Sequence, residues 1–565
     1  MAAISIFQSL PLHIAESITR YLVGSYRLAL SSESARLTKQ KKALTSLYNV
    51  SWLWRSLALQ YFCEEAIVII HGDKVECDFA YVNWPFGIEQ PTTGINRYVK
   101  KIWMRTEGLF TCDSGALPQA LANVWPNGFV FPAARKLSIE VCGNQAERRA
   151  VSGETNNKIV LEIASHIQQS MPKLEIIDIL DKESPPHWAF LPPNIGTSYS
   201  IDGLLSTFLP NLKRINLDLA YNLLVKDYKC LQCCSRLTSL QCSSGKNMDM
   251  FKRLIQQNLQ TLHSLVILQP PSNFVSSLVQ DDNGNLVVYP QLERLEICAN
   301  SGSNEAPYQQ TDKQVILFPV LKHLKIEIHY PFADDTLFRG NSSTMQTLSI
   351  VVNSHFLHIA KQHRIFGNGN YPNLVCISSK VLSSHSDEGL TAKAYLFCML
   401  EALGPATRAL TVPKLSDQKV LFSAIPNYLY FASVQILKLS EVELTIGEMI
   451  KLLKLLPALT DLSCRFRELE CEAGNIKYDG LPEHLYSMHY PLNRNFKCWE
   501  ILFSQLLSRP IATFATLLAI LCPRFTYAVM VHGDMELFRN HIKDLVSAKP
   551  FSEYFERVQC LLERH

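Results

Sequence analysis

The feature that most constrains the fold is a short apolar pattern, Leu-x-x-Leu-x-Ile, that returns along most of the chain. From Ile215 onward successive copies lie 24 to 33 residues apart by subtraction, and earlier copies lie 35 to 40 apart. Self-similarity at such intervals predicts an array of stacked structural units. The second and third apolar positions of the copies are Ile102/Met104, Leu137/Ile139, Ile177/Ile179, Ile215/Leu217, Leu240/Cys242, Leu265/Ile267, Leu295/Ile297, Leu324/Ile326, Leu348/Ile350, Leu410/Val412, Leu437/Leu439 and Leu462/Cys464, with a weaker copy at Ile377.

In seven copies a large apolar residue is followed by a proline, and this proline lies two residues before the first motif position. Proline ends an incoming helix and favours an extended chain after it, so each of these pairs predicts a boundary between a helix and a strand. The seven pairs are Phe131-Pro132, Met171-Pro172, Leu209-Pro210, Tyr289-Pro290, Phe318-Pro319, Tyr371-Pro372 and Leu456-Pro457.

Helical patterns lie between the predicted strands, as in MFKRLIQQNLQTL from Met250 and TIGEMIKLLKLL from Thr445. Each unit is therefore predicted to consist of a strand, a turn and a helix. Alternate Leu and Ile residues of a strand point into a core that is shared with neighbouring units, because one unit alone could not bury them. The residues between the apolar positions face the solvent. On the two strands around Leu295 and Leu324 these are Arg294, Glu296, His323, Lys325 and Glu327.

The spacing and the strand pattern resemble those of leucine-rich-repeat proteins. Asn300 and Asn353 stand near the place of that family's asparagine ladder, and the irregular copies are similar to the repeats found in F-box proteins. The resemblance implies an α/β fold, a curved solenoid with a parallel inner sheet and outer helices. An α/β protein with unrelated leucine-rich strands is the alternative.

Two amphipathic runs precede the repeats. The first, LPLHIAESITRYL from Leu10, begins with Leu-Pro, and the second, LTSLYNVSWLWRSLALQYF from Leu44, is built around a tryptophan. Apolar residues recur at helical spacing in both runs, so each predicts a helix with one apolar face. Ser9 is a suitable cap for the first helix, and Pro11 is tolerated in its first turn.

This pair of runs resembles an F-box, the helical module that docks a Skp-type adaptor. The resemblance implies an adaptor-binding role for Leu10, Pro11, Ile14, Ile18, Leu22, Val50, Trp54 and Leu57. The alternative is that the runs are two ordinary core helices of a larger domain.

Taken together, the two resemblances imply a substrate-recognition subunit of a cullin-RING ubiquitin ligase, not itself an enzyme. Expected partners are a Skp-type adaptor with its cullin scaffold, and a target protein held on the concave face by Arg294, Glu296, His323, Lys325 and Glu327. The expected domains are an F-box-like domain (1–62), a connecting segment with an irregular first repeat (63–130), the solenoid (131–534) and a helical cap (535–565). A repeat scaffold without ligase association is the alternative function.

Composition limits the remaining function classes. A chain of 565 residues exceeds the size of one compact core, so an array or several domains are expected. The balance of 54 basic against 51 acidic residues shows no basic arm for nucleic acid. No secretion signal or membrane-spanning stretch is apparent, and the sixteen cysteines indicate reduced thiols in the cytoplasm or nucleus.

Motifs for catalysis or cofactor binding are weak, and no cofactor or metal is expected. His-Gly-Asp occurs at His71 to Asp73 and at His532 to Asp534, where turn chemistry explains it. Cys230, Cys233, Cys234 and Cys242 have ligand-like spacing but lack a second pair. The DDNGN segment from Asp281 lacks the closing glutamate of a calcium loop.

Overall fold

The structure is a computed structural model, and the statements below concern the residues that it describes. These residues are 11–29, 51–71, 76–81, 95–106, 116–125, 129–141, 153–181, 199–200, 202–218, 223–224, 234–243, 248–268, 278, 285–298, 316–328, 343–353, 371–382, 403–412, 433–444, 452, 455–466, 498–503 and 527–530. The chain divides into two compact units, Met1–Leu278 and Val279–His565.

The first unit carries the described helices and ten strands. The helices are α1 (Leu12–Ala29), α2 (Trp52–Phe62), α3 (Leu117–Val124), α4 (Gly153–Ser170), α5 (Asp202–Phe208) and α6 (Met248–Gln257). The strands are β1 (Glu65–His71), β2 (Glu76–Tyr81), β3 (Lys101–Thr106), β4 (Lys136–Val141), β5 (Ile176–Asp181), β6 (Tyr199–Ser200), β7 (Arg214–Asp218), β8 (Leu223–Leu224), β9 (Ser239–Ser243) and β10 (Ser264–Leu268).

The main sheet of this unit is parallel except at its first edge. Strand β2 pairs antiparallel with β1, and β1, β3, β4, β5, β7, β9 and β10 then follow one another in parallel. Strands β6 and β8 form a separate parallel pair. The strand β3 lies in the segment 63–130, so the parallel ladder begins ahead of Phe131.

The second unit contains nine further parallel strands in chain order. They are β11 (Arg294–Cys298), β12 (His323–Ile328), β13 (Thr347–Asn353), β14 (Cys376–Leu382), β15 (Ala409–Thr411), β16 (Ile436–Leu444), β17 (Asp461–Phe466), β18 (Cys498–Phe503) and β19 (Tyr527–Met530). Leu295 pairs in parallel with Leu324, which confirms the direction predicted for these strands. Strand β16 has one register shift, between Leu439 and Glu443.

The apolar positions of the repeat pattern form the core. Every second and third apolar position named above is buried. Those of neighbouring strands are register partners, as with Leu137 and Ile177 or Leu324 and Leu348. The alternation therefore has the predicted cause, since one side of each strand points into the core. An α/β fold with a mostly parallel sheet is confirmed.

The apolar-proline pairs form turns immediately before the strands. The carbonyl of Met171 accepts a hydrogen bond from the amide of Leu174 at 3.1 Å, and Tyr371 and Leu374 repeat the contact at the same distance. Proline is the second residue of each turn, where its fixed φ suits the geometry. The predicted boundary between helix and strand is confirmed at Met171 and Leu209, where α4 and α5 end directly before the turn, whereas residues 285–288 before Tyr289 are not helical.

One main-chain contact then recurs at the strand starts. The carbonyl of the residue before a strand accepts two successive amides from the next strand's start, as Glu64 does from Lys100 at 2.8 Å and Lys101 at 3.1 Å. The second unit repeats it at Glu293, whose carbonyl accepts from Lys322 at 2.8 Å and His323 at 2.9 Å. This paired contact fixes the register of each new strand against the one before it.

One buried polar side chain of the array, that of Asn258, uses both of its polar atoms in hydrogen bonds. Asn258, buried just beyond α6, donates its amide Nδ2 to the carbonyls of Cys234 (3.0 Å) and Leu254 (2.8 Å). Its Oδ1 accepts from the amide of Leu237 at 2.9 Å. The side chain thereby ties the end of one helix to the start of the preceding strand.

Several predicted features lie outside the described residues. These are the cap at 535–565, His532 to Asp534, most of the helical pattern from Thr445, and Cys230 and Cys233. The helical pattern from Met250 is confirmed by α6. Helix α1 continues to Ala29, so it is longer than the run that predicted it.

Candidate protein-binding surfaces

The first candidate surface lies on the helix pair α1 and α2. Ser51 begins α2 as a cap whose hydroxyl accepts from the amide of Trp54 at 3.4 Å. Trp54 is completely buried and packs with Ala15 and Leu57, and Ile18 and Leu53 cover this cluster in part. The guanidinium of Arg20 approaches the hydroxyl of Tyr61 at 3.4 Å. Later residues of α1 thus meet later residues of α2, and both helices begin at the same end of the pair.

That end carries exposed apolar side chains. Leu12 is 55% exposed, Ile14 is 38% exposed and Trp52 is 77% exposed. We call these three residues the apolar helix ends. Each of the three lies in the first turn of its helix, and exposed large apolar side chains at such a helix end provide contact area for another protein.

The residues proposed for adaptor binding are thus divided between surface and core. Pro11 and Ile14 are exposed, Ile18 is half-buried, and Trp54 and Leu57 are buried. Leu10, Val50 and the side chain of Leu22 lie outside the described residues. Sequence reasoning missed Leu12 and Trp52, because an amphipathic pattern identifies the buried face of a helix and not the apolar residues on its other face.

The second candidate surface is the face of the second unit's sheet that lies opposite the core. Arg294 and His323 are register partners there, as are Glu296 and Lys325. The Arg294 guanidinium Nε donates to Glu296 Oε1 at 2.8 Å, and Lys325 Nζ lies 3.8 Å from Glu327 Oε2. All five predicted target-binding residues thus lie on two adjacent strands with partly exposed side chains.

His323 is oriented by its neighbour on the next strand. Its Nδ1 lies 2.8 Å from the hydroxyl of Thr347. Cys298 lies beside Lys325, and burial raises the pKa of its thiol although the ammonium of Lys325 acts in the other direction. The surface therefore consists of paired charged side chains with a protonated thiol beside them. Such a surface suits a polar partner.

The first unit carries a polar network on the corresponding face. The carboxylate of Asp178 accepts from Ser138 Oγ at 3.0 Å and from Lys136 Nζ at 2.6 Å. Trp103 donates its indole N–H to Glu65 at 3.3 Å, and the Lys101 ammonium lies 3.6 Å from the centre of the Trp103 ring. Alternation places these residues on the outer face, but it did not predict that Ser138 and Asp178 would be buried there.

Histidine and cysteine chemistry is limited among the described residues. His71 Nε2 lies 3.1 Å from Asp78 on the antiparallel neighbour β2. Burial raises the pKa of the Cys63 thiol to about 12, so this thiol stays protonated. Within the described ranges no group of three or more His, Cys, Asp or Glu residues is arranged to hold a metal ion.

No helix in the described part of the chain is long and apolar enough to cross a membrane.

The chain was compared with known proteins. No known family model matches it, and no curated protein matches it. The apolar helix ends and the outer sheet faces are therefore the observations from which a function is inferred.

Proposed function

We propose that this protein is the substrate-recognition subunit of an SCF-type ubiquitin ligase. In this proposal the helix pair is an F-box that docks a Skp-type adaptor, and the repeats form a curved leucine-rich-repeat solenoid that holds a target protein. One observation carries the proposal: apolar residues are exposed at the start of an N-terminal helix pair, ahead of a parallel sheet built from a repeated unit.

The adaptor side of the proposal is supported by the burial within the helix pair. Trp54 and Leu57 support the two helices from inside, while Leu12, Ile14 and Trp52 remain in contact with solvent. Covering a side chain of this size is worth about 1.5–3 kcal/mol. Trp52 and Leu12 are the two that still expose more than half of their surface, so they offer the larger part of this gain.

The target side is supported by the polarity of the second unit's outer face. Its charges are paired side by side on adjacent strands, so the surface costs little stability while it presents both signs to a partner. A ligase subunit needs this kind of selective surface, because its contribution is to hold the target at high effective concentration.

Adaptor docking is tested by the double variant Leu12→Glu, Ile14→Glu. Both positions are exposed, so we expect unchanged thermal stability and complete loss of co-purification with a Skp-type adaptor and cullin. Leu161→Glu is the matched control, because Leu161 is also an exposed leucine on a helix of the same unit. If the control abolishes adaptor binding equally, or the wild-type chain never retains the adaptor, the ligase proposal fails.

Target binding is tested by the exchange Lys325→Glu, Glu327→Lys. The exchange keeps the net charge and the possibility of an ion pair, so stability should change by less than about 0.5 kcal/mol. Target capture should fall while adaptor binding remains, as measured in one purification. Loss of folded protein would mean that these side chains are needed for the core.

A repeat scaffold without ligase association is the second candidate. The complete burial of Trp54 favours it, because a buried tryptophan is also what two ordinary core helices would show. The two candidates differ in one outcome, since only the ligase subunit co-purifies with adaptor and cullin from its own cells.

A further inference from the structure

Three strands of the first unit begin with two consecutive basic residues. The pairs are Lys100-Lys101 at β3, Arg135-Lys136 at β4 and Lys213-Arg214 at β7. Lys101 and Lys136 are register partners on adjacent strands, and Arg214 lies on the same row two strands beyond Lys136. We call this row of strand starts the basic edge.

The carboxylates at the basic edge are too few to neutralise it. Lys100 pairs with Glu64 at 3.2 Å, and Lys136 pairs with Asp178 at 2.6 Å. The carboxylate of Glu175 forms ion pairs with two cations, Arg135 at 3.6 Å and Lys213 at 2.8 Å. Arg214 is exposed, and its charge acts on this same Glu175 carboxylate, so three cations share one carboxylate.

Three further exposed cations precede strands along the same edge. They are Arg97 before β3, Lys173 before β5 and Arg236 before β9. With them the edge carries nine cations, while its carboxylates are Glu64, Glu65, Glu175 and Asp178. Counted over the described residues, this local surplus is five positive charges, against a formal net charge of +3 for the sequence as a whole.

No pair of consecutive Lys or Arg residues occurs at the seven strand starts of the second unit at which both residues are described. The described strand starts there read Glu293-Arg294, Lys322-His323, Gln346-Thr347, Val375-Cys376, Arg408-Ala409, Gln435-Ile436 and Thr460-Asp461. The basic edge is therefore not a requirement of the repeat. Like charges on directly neighbouring strands are destabilising, so Lys101 and Lys136 repel each other although Lys101 lies over the Trp103 ring and Lys136 pairs with Asp178.

We infer that the basic edge binds an extended acidic segment of a partner protein. Three strand steps separate β3 from β7, and at about 4.8 Å each they span roughly 14 Å. An extended chain advances about 3.3–3.6 Å per residue, so about four residues cover this distance. A short acidic stretch crossing the strands can therefore reach Lys101 and Arg214 together.

The interleaved carboxylates favour a peptide over a nucleic acid. Glu65 lies in the same row as Lys101, and Glu175 lies between Arg135 and Lys213. A continuous phosphate backbone would meet these carboxylates and be repelled. A peptide can place neutral residues opposite them and acidic residues opposite the cations.

The test measures binding of a labelled peptide of about ten alternating Glu and Ser residues to the full chain by fluorescence anisotropy, a length that exceeds the roughly 14 Å span. We expect binding that weakens as salt rises, because exposed charges are screened. Lys101→Glu, Arg214→Glu should reduce affinity at least tenfold, and Lys101→Arg, Arg214→Lys should retain it. The matched control is Lys158→Glu, Arg253→Glu, which reverses two helical cations.

Three outcomes would overturn the inference. The first is that the wild-type chain fails to bind the peptide at low salt. The second is that the helical control loses as much affinity as the edge variant. The third is that an oligothymidylate of equal charge binds more tightly than the peptide. Adaptor co-purification should be unchanged in the edge variant. A failure here is therefore distinguishable from a failure of the ligase proposal.

Discussion

At the scale of single residues, two buried positions show how neighbouring repeats are joined. Asn258 uses both side-chain atoms in hydrogen bonds to three main-chain groups. Gly404 stands where other repeats have a large apolar residue before proline, and a Cβ there would overlap the carbonyl oxygen of Tyr371. One site needs a polar side chain and the other needs none, so both are sensitive to small changes.

Asn258→Ala should destabilise the protein strongly. The substitution leaves the buried amide of Leu237 and two carbonyls without their partner, and each unsatisfied buried group costs about 1–3 kcal/mol. We expect an earlier urea midpoint, read by circular dichroism. Gln257→Ala is the control, because Gln257 is exposed on the neighbouring helix end. Equal midpoints for the two variants would contradict this assignment.

Gly404→Ala should destabilise by about 1–3 kcal/mol, because the methyl group overlaps main-chain atoms that cannot rotate away. Differential scanning calorimetry should show a lower Tm. Pro405→Ala, an exposed neighbour, removes atoms without adding an overlap and serves as the comparison. A Gly404→Ala protein as stable as wild type would show that Tyr371 approaches less closely.

At the scale of the elements, the strand starts are linked by side chains as well as by main-chain groups. Glu175, ahead of β5, accepts from Lys213 ahead of β7 and lies near Arg135 ahead of β4. The hydrogen bond from Lys213 lowers the pKa of the Glu175 carboxyl, with the charges of Lys213 and Arg135 adding to the effect. These exposed contacts influence charge more than stability.

The pH dependence of this contact follows from the direction of the shift. A carboxyl whose pKa is lowered by folding adds stability above its unfolded pKa, and this contribution is lost as the pH falls through the folded value. In wild type, carbon-13 NMR of labelled glutamate should place the pKa of Glu175 below 4.5. Lys213→Ala should raise it toward that value, whereas Lys252→Ala on α6 should leave it unchanged. A titration unaffected by Lys213→Ala would exclude the contact.

At the scale of the whole molecule, repeated apolar positions predicted the parallel strands and their buried side. The exposure of side chains on the helices was less predictable, because Trp52 and Trp54 belong to one amphipathic run and yet one is exposed and the other buried. The basic edge also escaped sequence analysis. Its three basic pairs are 35 and 78 positions apart in the sequence, by subtraction of the strand starts, and only strand pairing brings them into one row.

The burial of thiols gives a test that covers both units. The described cysteines are buried except Cys376, which is partly exposed. Burial raises the pKa of Cys77 to about 11, and thiols of this kind react slowly because the thiolate is the nucleophile. Iodoacetamide labelling of native protein at about pH 8 should modify Cys376 first among the described cysteines. Mass spectrometry that finds Cys242 or Cys464 labelled first would contradict the strand register.

The doubled main-chain contact at each strand start has a consequence for how such a chain can change in length. Strand starts are 35 residues apart from Lys101 to Lys136, 40 from Lys136 to Ile176 and 25 from Arg214 to Ser239, yet all these neighbours pair without a shift. Register is thus set where a strand begins, and the length of the connecting chain has no part in it. We therefore expect peptides inserted between strands, including foreign epitopes or tags, to leave the pairing of the sheet unchanged.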